Sequence, residues 1–417
     1  MNLLSLPQPA SIEGHTLIPL IASATPLDND IIYAETFQPF LDYHWAPLFT
    51  IIHKRKKFID APNPEFYDLN NDFNELHNLS NANEQNFTSW KSKLNPFINT
   101  LMAKSKIDSA SREALASLGY AGGTNASSLS LPQMKKLPDP KNKISVLESI
   151  HDAMDNLTNN NDSSAYEILS AIKTKDPNNV RVLYLLSIIS NKKNDYKNAV
   201  DYMKKAAALN PDYLAPYYLL SADIAIKHKK FQEAEKYYLE TIKVNPFEYS
   251  AYNNLAQIAF MNRNYSKATE YLTSAVELSP ENLEIRNNLG ILLLNENKLN
   301  EAEALFLTNL QISPKHQITL MNLAIVYMKK KEYNKAFSFI RQLLELDSNN
   351  ENYYLLMIDC CSQASKTNEL INYRLKLADL FIKKGQTQKA ILQLQEILKI
   401  DHSHPDARKK IEQLLNK

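Results

Sequence analysis

Four places in this 417-residue sequence gather side chains that could do chemistry. The segment DHSHPD holds Asp401, His402, His404 and Asp406. Imidazole and carboxylate are ordinary metal ligands, so one reading is a metal site. The preferred reading is a polar turn, because Pro405 is placed to open a helix. The run HKRKK at 53–57 could meet an anionic surface, yet five residues between two apolar runs fit a solvated hairpin turn better. Cys360 and Cys361 are neighbours in a helical pattern. Their side chains diverge there, so neither a disulfide nor a Cys-rich metal site is expected. The fourth place is a row. Asn254, Asn288 and Asn322 recur at a spacing of 34, each directly before a leucine (Leu255, Leu289, Leu323), with Asn253 and Asn287 beside them. A carboxamide both donates and accepts, so such a row can hold a peptide backbone without reading its side chains.

Composition narrows the rest. There are 47 basic and 46 acidic residues, and a net charge of +1 gives no general pull toward nucleic acid or an anionic membrane. The six glycines (14, 119, 122, 123, 290 and 385) form neither a dinucleotide fingerprint nor a phosphate loop. No stretch is long and apolar enough to span a membrane. The first 21 residues lack a basic n-region and are broken by Pro7, Pro9 and Glu13, so they are not read as a signal peptide. The cysteine usage fits a reducing compartment, and a chain genuinely starting at Met1 is expected in the cytoplasm.

The elements that must position the asparagines are legible from a period. Alanines recur at 165, 199, 234, 268, 302 and 336, in steps of 34, 35, 34, 34 and 34. Twelve residues after each of the first five stands a proline: Pro177, Pro211, Pro246, Pro280 and Pro314, with Ser348 after the sixth. Such a period predicts stacked helical hairpins, each needing its neighbours to cover its apolar face. Small residues at 256, 290 and 324 let the paired helices approach, and Leu272, Phe306 and Ile340 fill the space between hairpins. In residues 251–280, Tyr252, Leu255, Ala256, Ala268, Leu272, Ala275 and Pro280 fall on the tetratricopeptide pattern, and the next two units repeat it. Residues 144–417 therefore resemble a tetratricopeptide-repeat protein. That resemblance implies that the asparagines line a concave groove. The row is similar to the peptide-binding groove of the O-linked N-acetylglucosamine transferase repeats. The period slips after Ala336, since the next well-placed alanine is Ala390, 54 residues on. Residues 349–368 read as a first helix lacking a proper second one.

The front of the chain has another texture. Short β-like runs at 31–36, 48–52 and 57–60 predict an antiparallel hairpin, and Tyr67 and Leu69 could add a strand. A helix is expected around 84–93, with Pro96 disturbing its continuation, and another over SREALASL, stopped by Gly119. The ordered pieces GHTLIPLI (14–21), IYAETFQPFLDYHWAPL (32–48), KKFIDAPNPEFYDLNNDFNELHNL (56–79) and SLGYAGG (117–123) resemble the C-terminal part of a bacterial sulfatase-like hydrolase of the alkaline phosphatase superfamily. The resemblance implies a small sheet-and-helix subdomain that packs on a catalytic domain lying upstream. It also implies a nucleophile in a C/S/T-x-P-x-R setting. Ser5-Leu-Pro-Gln-Pro and Ser130-Leu-Pro-Gln-Met start correctly but lack the arginine, and Asp28-Asn29-Asp30 matches no ligand motif. No catalytic residue carries over, and Phe73-Asn74 stand where the family has a Pro-Gly turn. His44 and Trp45 are expected to pack the subdomain.

The sequence thus predicts a mainly α protein, a tetratricopeptide α-solenoid preceded by a small α+β sulfatase C-terminal-like subdomain. The expected boundaries are 1–120 for that incomplete subdomain, 121–143 for a linker, 144–402 for the repeats and 403–417 for a capping helix. The expected role is a non-catalytic scaffold that binds a protein or peptide partner in its groove, through Asn253, Asn254, Asn287, Asn288 and Asn322. No catalytic residue, cofactor, metal or nucleic-acid partner is expected. The alternative is the tail of a split or truncated sulfuric or phosphoric ester hydrolase whose catalytic domain is another polypeptide.

Overall fold

Strand β1 (Ile32–Thr36) is followed by helix α1 (Gln38–Tyr43), then by β2 (Leu48–His53), β3 (Lys56–Asp60) and β4 (Glu65–Asp68). This is a computed structural model, which describes residues 31–80, 87–104 and 130–415. The four strands form an antiparallel meander in the order β1-β2-β3-β4. Ile51 pairs with Phe58, and Phe58 with Phe66. Because side chains alternate across a strand, Phe49, Ile51, Phe58 and Phe66 share one face. That face is buried with Trp90, Leu94 and Ile98 of helix α2 (Phe87–Lys104). The basic run makes the β2–β3 turn, with Lys54 and Arg55 both at positive φ. Two successive left-handed residues match the right-handed twist of a hairpin.

Two expectations for this region are corrected. Helix α2 continues through Pro96 rather than ending there. Trp90, Leu94 and Ile98 are spaced at four residues and bury one face on the sheet on both sides of the proline, which outweighs the lost hydrogen bond. The span 121–143 is also not all linker. Residues 130–143 hold helix α3 (Leu131–Met134) and a 3₁₀ turn (Pro140–Lys143), and they are fastened to the sheet. Met134 is buried, Lys135 pairs with buried Asp60, the Ala46 N–H donates to the Pro138 carbonyl at 2.9 Å, and the Asn63 N–H donates to Asp139 at 2.9 Å. The helix expected over SREALASL and the linker residues 121–129 lie outside the described residues.

The chain divides into two units, Met1–Lys230 and Phe231–Lys417. In the first, α4 (Ile144–Thr158) pairs with α5 (Asp162–Lys175) and α6 (Val180–Lys192) with α7 (Tyr196–Leu209); α8 (Leu214–Lys227) packs on α7. In the second, α9 (Phe231–Val244) packs on α10 (Tyr249–Met261), and α10 pairs with α11 (Tyr265–Leu278). Then α12 (Leu283–Asn295) pairs with α13 (Leu299–Ile312), and α14 (Gln317–Lys329) with α15 (Tyr333–Leu346). The small pairs of the hairpins, Ala153 with Ala165, Ser187 with Ala199, Ala256 with Ala268, Gly290 with Ala302 and Ala324 with Ala336, are all buried.

The period slip has a structural cause. Helix α16 (Glu351–Gln363) does have a partner, α17 (Thr367–Lys383), which also pairs with α18 (Thr387–Ile400). One long helix closes one hairpin and opens the next. Ile358 of α16, Leu377, Leu380 and Phe381 of α17 and Ala390 of α18 share one buried cluster. The left-handed residue of each interhelix turn keeps the beat: Arg263, Asn297, Lys331 and Ser365 at steps of 34, then Gly385 after 20. Helix α19 (Pro405–Leu415) closes the chain and packs on α18.

Candidate partner-binding face

The first helices of successive hairpins lie side by side in the unit Phe231–Lys417, and polar side chains join them. Asn288 on α12 donates its amide to the Asn253 carbonyl oxygen on α10 at 3.1 Å. Thr319 on α14 donates to the Asn287 carbonyl oxygen on α12 at 3.1 Å, and His316 Nδ1 lies 2.8 Å from the same hydroxyl. Asn254 donates to the Tyr238 hydroxyl at 2.9 Å, back toward α9.

The row of three is therefore not uniform. Asn254 and Asn288 are half-buried and spend an amide N–H within the chain. Asn322 is 4% exposed and Asn287 3%, and the amide nitrogen of each has no hydrogen-bond partner among the described residues. A buried donor left without a partner is costly, so these two enclosed amides cost the fold stability, while Asn254 and Asn288 are the more open members of the row.

Sequence reasoning missed the apolar side of this face. Phe260 and Met261 at the end of α10, Ile318 at the start of α14 and Leu355 on α16 are exposed. A cleft of about 320 Å³ opens between α10 and α12, lined by Gln257, Phe260, Met261, Leu272, Asn288 and Ile291 among others. The signal was available. Ile318 precedes its hairpin alanine, Ala336, by 18 residues, where Glu284 precedes Ala302 and Ser250 precedes Ala268. An apolar residue at a position that is otherwise polar in the neighbouring repeats marks a surface rather than a core.

The other candidates resolve into structural roles. Asp401 accepts from the backbone N–H and hydroxyl of Ser403, whose hydrogen bonds hold its carboxyl below the usual range. His404 Nδ1 accepts from the Ala407 N–H at the start of α19. Among the described residues no group of three or more His, Cys, Asp and Glu could hold a metal ion, and no helix is long and apolar enough to cross a membrane. In the front module, Asp72 accepts from the N–H groups of Leu76 (2.9 Å) and His77 (2.7 Å), so the turn at Phe73-Asn74 is held by an aspartate. Trp45 donates its indole N–H to Asp176 at 2.8 Å, and burial pushes the His44 imidazole down against the pull of Asp176.

Models of the tetratricopeptide repeat match residues 180–213, 219–282, 259–308 and 319–350. No curated protein gives a significant match. Among solved structures, the chain is similar to YrrB, described as a tetratricopeptide protein with an unusual peptide-binding site, at 19% identity and a TM-score of 0.37, over 43% of this chain and 92% of that one. It is similar to PilF of Pseudomonas aeruginosa at 18% identity and a TM-score of 0.40, over 50% and 97%. The C-terminal part of a repeat protein from Cytophaga hutchinsonii aligns at 16% identity and a TM-score of 0.41, over 62% and 98%. The matched segments are filled by the helical hairpins described above, so over those residues the chain carries tetratricopeptide repeats.

Proposed function

We propose that this protein is a non-catalytic scaffold that binds an extended segment or helix of a protein partner on the first-helix face of the unit Phe231–Lys417. One observation carries the reading. Half-buried Asn288 lines the apolar cleft with exposed Phe260 and Met261, so an amide able to engage a peptide backbone adjoins apolar surface able to take its side chains. Recognition surfaces commonly combine such pockets with a few placed polar groups. Each backbone hydrogen bond contributes about 0.5–1.5 kcal/mol, so the apolar anchors supply much of the affinity. The test is a pull-down with the full chain, followed by affinity measurement on the recovered partner. Replacing Asn254, Asn288 and Asn322 together by Ala should weaken binding with helicity intact, and Met261→Glu with Ile318→Glu should weaken it further. Unchanged binding in both variants refutes the assignment.

A second reading makes the front module the tail of a sulfatase-like hydrolase whose catalytic domain is another polypeptide. The observation that favours it is a pair of side chains on the loop after β4: Phe73 is 78% exposed and Leu76 74% exposed. Large apolar groups held out by a fixed turn suit a docking contact. A polypeptide carrying the C/S/T-x-P-x-R motif should then bind the chain, and Phe73→Asp with Leu76→Asp should abolish that binding. Ester hydrolysis by the purified chain alone would contradict both readings.

A further inference from the structure

The hairpin register extends into the first unit, where it meets the front module. Tyr184 precedes Ala199 by 15 residues, as Asn253 precedes Ala268 and Asn287 precedes Ala302. Arg181 precedes Ala199 by 18, as Ile318 precedes Ala336. Arg181 and Tyr184 of α6 thus hold the positions that form the candidate face elsewhere, but this part of the face is not free. Helix α1 lies against α6. Asn210 donates its amide to the Leu41 carbonyl at 2.9 Å, at the C-terminal half of α1. Tyr43 and partly buried Tyr184 both pack on the cluster that includes Leu185 and Leu186. Burial raises both the Tyr43 and Tyr213 phenols, while Asp42 pushes both up and Arg181 pulls both down, which gathers the four groups in one place. Immediately beyond α1, Trp45 stacks on Tyr43 with ring centroids 4.6 Å apart and donates to Asp176 at the end of α5. Lys143 lies 3.6 Å from the same carboxylate.

We infer that helix α1 of the front module is the resident occupant of the first-helix face of the hairpin α6–α7, which leaves the face of Phe231–Lys417 for an external partner. The inference deepens the scaffold reading, because it states which repeats are taken by the chain itself. The contacts are specific: a side-chain amide on a helix carbonyl, and an indole N–H on a buried carboxylate. Buried polar pairs of this kind fix one arrangement in place of a loose apolar contact.

Thiol labelling of the full chain tests this without any partner, so its failure is distinguishable from failure of the scaffold reading. Cys360 and Cys361 are buried and give a low background. Arg181→Cys and Ile318→Cys place a thiol at equivalent positions of two repeats. The expected result is labelling at 181 at least tenfold slower than at 318. Adding Asp176→Ala and Asn210→Ala, which remove the acceptor of the indole N–H and the donor to the Leu41 carbonyl but leave Trp45 itself in place, should speed labelling at 181 at least tenfold and leave 318 unchanged. If those changes unfold the module, Asn210→Ala alone with hydrogen exchange across 38–43 reads the same release. Equal rates at 181 and 318 in the otherwise unaltered chain overturn the inference. So does a failure of the anchor variants to change either labelling at 181 or exchange across 38–43.

Discussion

Gly290 faces the ring of Phe306 so closely that a Cβ at that position would lie 2.5 Å from Cε1 and 2.6 Å from Cζ. The neighbouring hairpins solve the same contact differently, with Ala256 beside Leu272 and Ala324 beside Ile340. In an ordinary helix Gly→Ala stabilises by roughly 0.5–1 kcal/mol. Here Phe306 is fully buried and has nowhere to go. Gly290→Ala should therefore destabilise the chain, by about 1–3 kcal/mol, the range for overpacking a filled core. The double variant Gly290→Ala with Phe306→Leu reproduces the pairing of the preceding hairpin and should recover much of the loss. Urea midpoints followed by circular dichroism check both. A single variant as stable as the parent would mean that the ring moves freely.

Arg286 and Asn309 form a second pair that departs from the repeat pattern. Arg286 is 6% exposed and donates to the Asn309 carbonyl oxygen at 2.6 Å and to the Pro280 carbonyl. Among the described residues no carboxylate pairs with it. Tyr252 and Ala275 hold the equivalent positions one hairpin earlier, and Leu183 and Ala206 three hairpins earlier. Asn309→Ala should cost about 1.5–3 kcal/mol, because a hydrogen bond to a buried charge is lost and the charge remains. Arg286→Leu with Asn309→Ala should return close to parental stability, since an apolar pair of suitable size needs no polar partner. A double variant no better than Asn309→Ala alone would show that the arginine stabilises by its packing.

The hairpins were legible because a small residue at a fixed step is a geometric necessity wherever two helices touch closely. The same rule explains the one hairpin that was misread. In α16–α17 the positions held elsewhere by the small pair are Ile358 and Leu370, so the signal was gone although the turn at Ser365 kept its register. The strands were legible from alternation, and Pro96 misled because propensity speaks for an isolated helix whereas Trp90 and Leu94 speak for a packed one. The asparagine row was legible as spacing but not as chemistry. Whether an amide is spent on Tyr238 or Asn253, or is left unpartnered like that of Asn322, depends on residues 16 or 35 positions away.

The two cysteines predict a quiet thiol chemistry. Burial is the main influence on Cys360, and with the nearby Cys361 and Asp359 it pushes the thiol up to about 12. Burial raises Cys361 as well. The thiolate is the reactive species, so neither residue should react with iodoacetamide in the native chain between pH 7 and 8, while both should react at once in denaturant. Mass spectrometry of labelled peptides reads this directly. Labelling of native Cys360 at the rate of a free thiol would show that α16 opens readily.

Glu303 ties the hairpin α12–α13 to the next one and gives stability a pH dependence. Its carboxylate accepts from the Tyr327 hydroxyl at 2.5 Å and pairs with Lys330. Burial is the largest influence and pushes the carboxyl up, but the hydrogen bonds from Lys330 and Tyr327, with the charges of Lys330 and Lys335, together hold it below the ordinary glutamate value of 4.5. The unfolded chain therefore takes up this proton first as pH falls. The stability contributed by the carboxylate is complete above the unfolded value and is lost as pH drops through the folded one. Tyr327 behaves oppositely: burial, then its bond to Glu303, raises the phenol, so its share is complete below the ordinary value of 10.0 and is lost as pH rises through the folded value. Glu303→Gln should be less stable than the parent at pH 7, and the gap should narrow as pH is lowered from 4.5 toward 3. Urea midpoints of the two proteins across that range check the sign. A gap that stays constant below pH 4.5 would show that the carboxylate is not held in its ionised form by Lys330 and Tyr327.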